Sequence, residues 1–133
     1  MEGGAALIMT TLVLVFIGGG LGSAARYLIG VWALRRFGPS FPYGTAMVNL
    51  IGCFALGVIA HFAAGLAWTP EARAATVAGL LGGFTTYSSF NHETLILITN
   101  GAAGSALANV AVTLAGGLVA GWLGLVVARQ LVA

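Results

Sequence analysis

The residues best suited to chemistry in this chain are gathered in positions 79–93, GLLGGFTTYSSFNHE. This stretch holds Gly79, Gly82 and Gly83, the hydroxyls of Thr85, Thr86, Ser88 and Ser89, and then Asn91, His92 and Glu93. It lies inside an apolar segment long enough to cross a bilayer, yet a continuous lipid-facing helix would not be built from it. Glycine lowers helix propensity by about 1 kcal/mol relative to alanine. Threonine and serine side chains bond to nearby backbone groups and so compete with the helical ladder. The stretch therefore reads as a helix broken within the membrane, with carbonyls and hydroxyls freed to meet an ion. Irregular backbone at that depth persists only where protein or a polar cavity covers it, and half-helix ends at such breaks serve as ion sites. The competing reading is a glycine-rich packing face whose hydroxyls bond back to their own helix.

Other polar residues sit in apolar runs. Thr45 and Asn49 are spaced i,i+4, and Asn49 is a bare amide near the middle of its segment. Its NH2 is an available donor, which serves either an ion or an interhelical bond. Ser105, Asn109, Thr113, Gly117 and Gly121 fall at successive i+4 positions, a polar and then small stripe along one helical face. Lipid does not require such a stripe, so it lines a polar path or a helix contact, and the donors at Asn109 and Thr113 favour the path. Gly18 and Gly22 share a face with Arg26 one turn further on. The two glycines allow close helix approach. A buried arginine needs protein or water around it, so Arg26 reads as a vestibule residue or one snorkelling to the interface. The run from Gly20 to Ala25 imitates a dinucleotide-binding fingerprint. That reading fails, because it demands an acidic residue about 20 positions on and none occurs between Glu2 and Glu71.

These residues are carried on a strongly apolar chain of 133 residues, 59% hydrophobic and 6% charged, without a single Lys or Asp. A soluble surface needs roughly 25% charged residues, so the chain is an integral membrane protein. Net charge +2 rests on too few residues to suggest nucleic acid, and no Lys/Arg cluster is present to bind it. The lone Cys53 excludes an intramolecular disulfide. The start, Met1-Glu2-Gly3-Gly4, lacks the basic region of a signal peptide, and the first apolar stretch is expected to remain as a span.

At about 20 residues per crossing, the chain accommodates a single all-α domain over 1–133 with spans at roughly 6–34, 43–67, 70–99 and 102–127. The first loop, 35–42, contains Arg35, Arg36, Gly38 and two prolines. In the second, Thr69 is the expected N-cap, with Pro70 at the first helical position and Glu71 in the first turn. Asn100-Gly101 closes the third span. Four spans put Arg73 and Arg129 on one side and Arg35 and Arg36 on the other. Orientation follows Lys/Arg bias, and an even split predicts insertion both ways round and antiparallel pairing of two copies.

The order of motifs resembles the Fluc-type fluoride channels, also called CrcB proteins. The match is carried by a glycine-rich first span ending in Arg26-Tyr27, by PYGTAMVNLIG over 42–52, and by GGFTTYSSF over 82–90. It covers all four spans in order, and the third-span motif is the most specific. The resemblance implies an antiparallel, dual-topology homodimer with two fluoride pores in a prokaryotic cell membrane, exporting fluoride passively. It implies a central sodium ion held by the backbone carbonyls of Gly82 and Thr85 from each subunit. It assigns pore roles to Asn49, Tyr87, Ser88 and Phe90, with a polar track at Asn109 and Thr113, and leaves Arg26, Thr45 and Glu93 as vestibule or structural residues. The chain departs from the usual pattern with Tyr87 in place of Phe, Ser89 in place of Thr, and Asn109 where Tyr or another polar residue is expected.

The physics agrees. Fluoride is small and strongly hydrated, so its water must be replaced by donors such as an amide or hydroxyls. Aromatic ring edges are positive, so an anion can pass along them without a fixed cation to trap it. Conduction requires binding weak enough to release. Two other classes compete. A proton-coupled four-span exporter needs an intramembrane carboxylate, and Glu93 is the sole candidate. A haem-anchoring subunit would use His61 and His92, with nothing else in its favour.

Overall fold

The protein is described by a computed structural model over residues 2–65 and 68–131. The regular structure among these residues is helical throughout. Helix α1 spans Glu2–Phe37 and α2 spans Tyr43–Gly65. The third segment begins with the short α3, Pro70–Arg73, continues as a π-helical stretch, Ala74–Leu81, and ends in the turn α4, Gly82–Phe84. After two extended residues, α5 covers Tyr87–Thr99. The last rod is α6, Ala103–Ala111, a π-helical stretch Val112–Gly116, and α7, Gly117–Gln130.

Among the described residues three helical stretches are long and apolar enough to cross a membrane, Gly4–Phe37, Tyr43–Ala63 and Ala103–Gln130. Their outward faces carry large apolar side chains, with Phe16 82% and Leu118 79% exposed. Apolar patches of this extent do not face water in soluble proteins, and the chain is a membrane protein. The third segment is interrupted where the glycine and hydroxyl content predicts. Thr85 (φ −85, ψ 158) and Thr86 (φ −152, ψ 115) are both extended.

Element ends follow local chemistry. Thr69 caps α3 by accepting from the Ala72 N–H at 3.2 Å, with Pro70 at the first position and Glu71 in the first turn, as expected. Gly38 and Gly101 adopt φ of +77 and +76, the left-handed conformation that ends helices. The first helix runs past its expected bounds at both ends, and the last ends at Gln130, three residues beyond the expected 127. The sequence pattern places Arg35 and Arg36 in a loop, whereas they form the last turn of α1. Arginine is a good helix former, and a cation there faces the negative end of the helix dipole. The expected end of the second span at Leu66 and Ala67 lies outside the described residues.

Glycines set the interhelical distances. α1 packs mainly on the π-helical stretch and α4, and α2 mainly on α7. A methyl group at Gly18 would sit 2.6 Å from the Ala75 carbonyl oxygen, and one at Gly22 would collide with the Leu80 carbonyl. Gly83 faces Gly19 across the same contact. Gly57 and Gly124 play the same part between α2 and α7, where an added Cβ would meet the carbonyls of Gly121 and Phe54. With so little side chain between them, these backbones are held by van der Waals packing, the main attraction available between helices in lipid. The close fit of α1 against the third segment holds the residues before the break beside α1.

Candidate functional site

The break at Thr85-Thr86 would leave backbone groups without helical partners, and neighbouring elements supply them. Asn49, 8% exposed on α2, meets Thr86 through both ends of its carboxamide. Its Oδ1 accepts from the Thr86 N–H at 2.8 Å, and its Nδ2 donates to the Thr86 carbonyl at 3.1 Å. The Thr86 side chain then caps α5, its Oγ1 accepting from the Ser89 N–H at 3.2 Å and lying 3.0 Å from Ser89 Oγ and 3.3 Å from Ser88 Oγ. From α1, Arg26 Nη1 reaches the Thr85 carbonyl at 3.4 Å and Ser23 Oγ reaches the Gly83 carbonyl at 3.4 Å. Thr85 turns its own hydroxyl back to the Leu81 carbonyl at 2.9 Å.

A cavity of about 310 Å³ opens at the break. It brings together Asn49, Gly82, Thr85, Tyr87 and Thr113 from three segments, together with Thr86 and Cys53, and no charged residue lines it. Thr113 Oγ1 is buried without a hydrogen-bond partner. Tyr87 is 74% exposed, its ring 5.6 Å from that of the buried Phe90 at an interplanar angle of 55°.

The remaining expected site residues lie elsewhere. Phe90, Ser88 and Asn109 are not part of the cavity wall. Asn109 is fully buried and donates through Nδ2 to Thr94 Oγ1 at 2.9 Å, while Thr94 donates to the Phe90 carbonyl at 2.7 Å. The Asn109 Oδ1 has no partner. The stripe on the last rod thus divides. Asn109 bonds to α5, Thr113 faces the cavity, and Gly117 and Gly121 pack against Cys53 of α2. Arg26 and Thr45 share a second cavity of about 360 Å³ with Thr86 and Ser89. Thr45 Oγ1 also donates to Glu93 Oε1 at 2.8 Å, where both border a third cavity of about 300 Å³ under the α1–α2 loop. His61 packs its ring on Phe62, centroids 5.7 Å apart.

Two residues of this network, Thr86 and Thr94, carry no site role in the sequence reading. For Thr86 a signal exists. A threonine directly before a helix is a strong N-cap candidate, and α5 starts at Tyr87. Thr94 gives no comparable signal, because its partner Asn109 lies on another helix.

The chain is similar to known proteins over most of its length. The family described as "CrcB-like protein, Camphor Resistance (CrcB)" matches residues 13–125. A protein of Sorangium cellulosum named "Fluoride-specific ion channel FluC" is 50% identical over 118 residues, 88% of this chain and 93% of that protein. A protein of the same name from Anaeromyxobacter sp. is 48% identical over 124 residues, 92% of this chain and 98% of that protein. One from Rhizobium meliloti, also so named, is 39% identical over 125 residues, 93% of this chain and the whole of that protein.

Proposed function

This chain belongs to the CrcB-like family, and from that membership and the chemistry of the break we propose that it is a fluoride-selective ion channel that lets fluoride leave the cytoplasm passively. The observation that carries the reading is the cavity at the break, walled by Asn49, Thr85, Thr86, Tyr87 and Thr113 with no charged side chain. Neutral donors can replace fluoride's hydration without holding the ion so tightly that it cannot leave. The unpartnered Thr113 hydroxyl is a donor free for an anion. Tyr87 offers a positive ring edge at the cavity wall, and in this reading the buried Phe90 tilted against it, outside that wall, continues the route. No proton or covalent step is required, so the protein is a channel and not an enzyme.

The functional unit in this reading is an antiparallel homodimer in a prokaryotic cell membrane, each protomer crossing four times, with the break in the third crossing at mid-membrane. Its support is the even division of Arg35 and Arg36 against Arg73 and Arg129, together with the exposure of Tyr87 beside the break, which calls for a partner surface.

The reading includes a structural sodium ion held by the carbonyls of Gly82 and Thr85. The donor set fits. Both are neutral backbone oxygens at the C-terminal end of the rod 70–84, the negative end of its dipole, and half-helix carbonyls of this kind coordinate sodium in other membrane proteins. When bound, the ion would supply a positive potential beside the anion path. Fluoride efflux from liposomes containing the purified protein, with chloride as the control, tests the function.

A further inference from the structure

We propose that Asn49 and the Thr86 side chain are positioning residues for the cation, because they divert the two backbone N–H groups that would otherwise cover the Gly82 and Thr85 carbonyls. The inference rests on the sodium assignment made above. In an uninterrupted α-helix the N–H of each residue bonds to the carbonyl four positions earlier. Thr86 N–H would then cover Gly82 O, and Ser89 N–H would cover Thr85 O. Neither does so. The Thr86 N–H goes to Asn49 Oδ1 at 2.8 Å, and the Ser89 N–H goes to Thr86 Oγ1 at 3.2 Å. Immediately before the break the helical rule still holds, with Thr85 N–H on the Leu81 carbonyl at 2.9 Å. The two carbonyls assigned to the cation are thus the two whose donors are captured by side chains.

The surroundings keep them that way. Asn49 also donates from Nδ2 to the Thr86 carbonyl at 3.1 Å, so its carboxamide grips the residue on both sides and holds it extended. Gly52, on the same helix as Asn49, has no side chain, and a Cβ there would strike Thr85 Cγ2. Thr85 can therefore lie directly on α2. Arg26 reaches the Thr85 carbonyl only at 3.4 Å, a long contact for an N–H donor. A carbonyl has a second lone pair for a metal.

The test is thermal unfolding of the purified protein in detergent, titrated with sodium chloride against N-methylglucamine chloride at constant ionic strength. The parent is expected to gain stability with a defined sodium midpoint. Asn49→Leu frees the Thr86 N–H, and its midpoint should rise by at least about tenfold, because a ligand stabilises only as far as it binds the folded state. Asn49→Asp keeps an acceptor for that N–H, so its midpoint should stay at or below that of the parent. Equal midpoints in the parent, Asn49→Leu and Asn49→Asp would overturn the inference and reduce Asn49 to a lining residue. Loss of the response in Asn49→Asp as well would also overturn it, since the carboxamide would then matter only as a packed core group. A parent with no sodium-specific response would overturn the sodium assignment itself, and the inference with it. Should Asn49→Leu not assemble, a second pair carries the same contrast. Thr86→Val should raise the midpoint and Thr86→Ser should not, and equal midpoints in that pair would overturn the inference.

Discussion

The carboxamide of Asn49 and the backbone of Thr86 form a two-point pair, 2.8 Å at the N–H and 3.1 Å at the carbonyl, across 37 positions of sequence. This pair lets a helix stop inside an apolar protein. It supplies both backbone groups of a residue that has left the helix, in a buried place where water is not available to do so. Asn49→Ala is expected to destabilise the protein by about 2–6 kcal/mol, since two buried groups lose their partners at about 1–3 kcal/mol each. Thermal unfolding in detergent, with the oligomeric state followed on a sizing column, measures this. A variant as stable as the parent would show that another group can serve the Thr86 backbone.

Thr113 separates function from stability. Its hydroxyl is buried without a partner, on a residue that borders the cavity at the break. Thr113→Val keeps the shape and removes a polar group that costs free energy to bury. The variant should be as stable as the parent or more so, while fluoride flux falls by about tenfold, a barrier increase of about 1.4 kcal/mol. Unchanged flux with raised stability would place the hydroxyl outside the conduction path.

The aromatic pair is expected to respond by edge chemistry and not by bulk. Phe90→Ile retains an apolar side chain but loses the positive ring edge, and flux should fall more than about tenfold. Tyr87 is largely exposed and none of the hydrogen bonds described above uses its hydroxyl, so Tyr87→Phe should conduct like the parent. Phe90→Ile protein that elutes like the parent on a sizing column and conducts at the parental rate would assign that ring to packing.

Glycine positions divide into two classes. Gly18→Ala places a methyl 2.6 Å from a backbone oxygen of the neighbouring segment, whereas a methyl at Gly20 meets nothing within 4 Å. Gly18→Ala should lower the melting temperature and the yield of folded protein. Gly20→Ala should be neutral or stabilising by up to about 1 kcal/mol through helix propensity. Equal behaviour of the two variants would show that α1 does not approach the third segment as closely as described.

Much of this was legible in the sequence, and what was not has a physical cause. The break was visible because Gly82, Gly83, Thr85 and Thr86 each weaken the helix locally, so their effects sum without reference to the rest of the fold. The close contact at Gly18 and Gly22 was visible for the same reason, as a pattern on one face. The use of Asn49 was open between an ion and an interhelical bond, because its partner is distant in sequence and is a backbone group, which leaves no mark on residue type. The stripe from Ser105 to Gly121 read as one face. The π-helical stretch Val112–Gly116 and the packing of different neighbours divide it between α5, the cavity and α2.

The central claim is passive, selective fluoride conduction, and one measurement addresses it most directly. Liposomes containing the purified protein are loaded with potassium fluoride or potassium chloride, and anion efflux is started by valinomycin with no imposed proton gradient. Fluoride is expected to leave rapidly down its gradient while chloride remains inside. Comparable release of both ions, or fluoride release only when a proton gradient is imposed, would contradict the account.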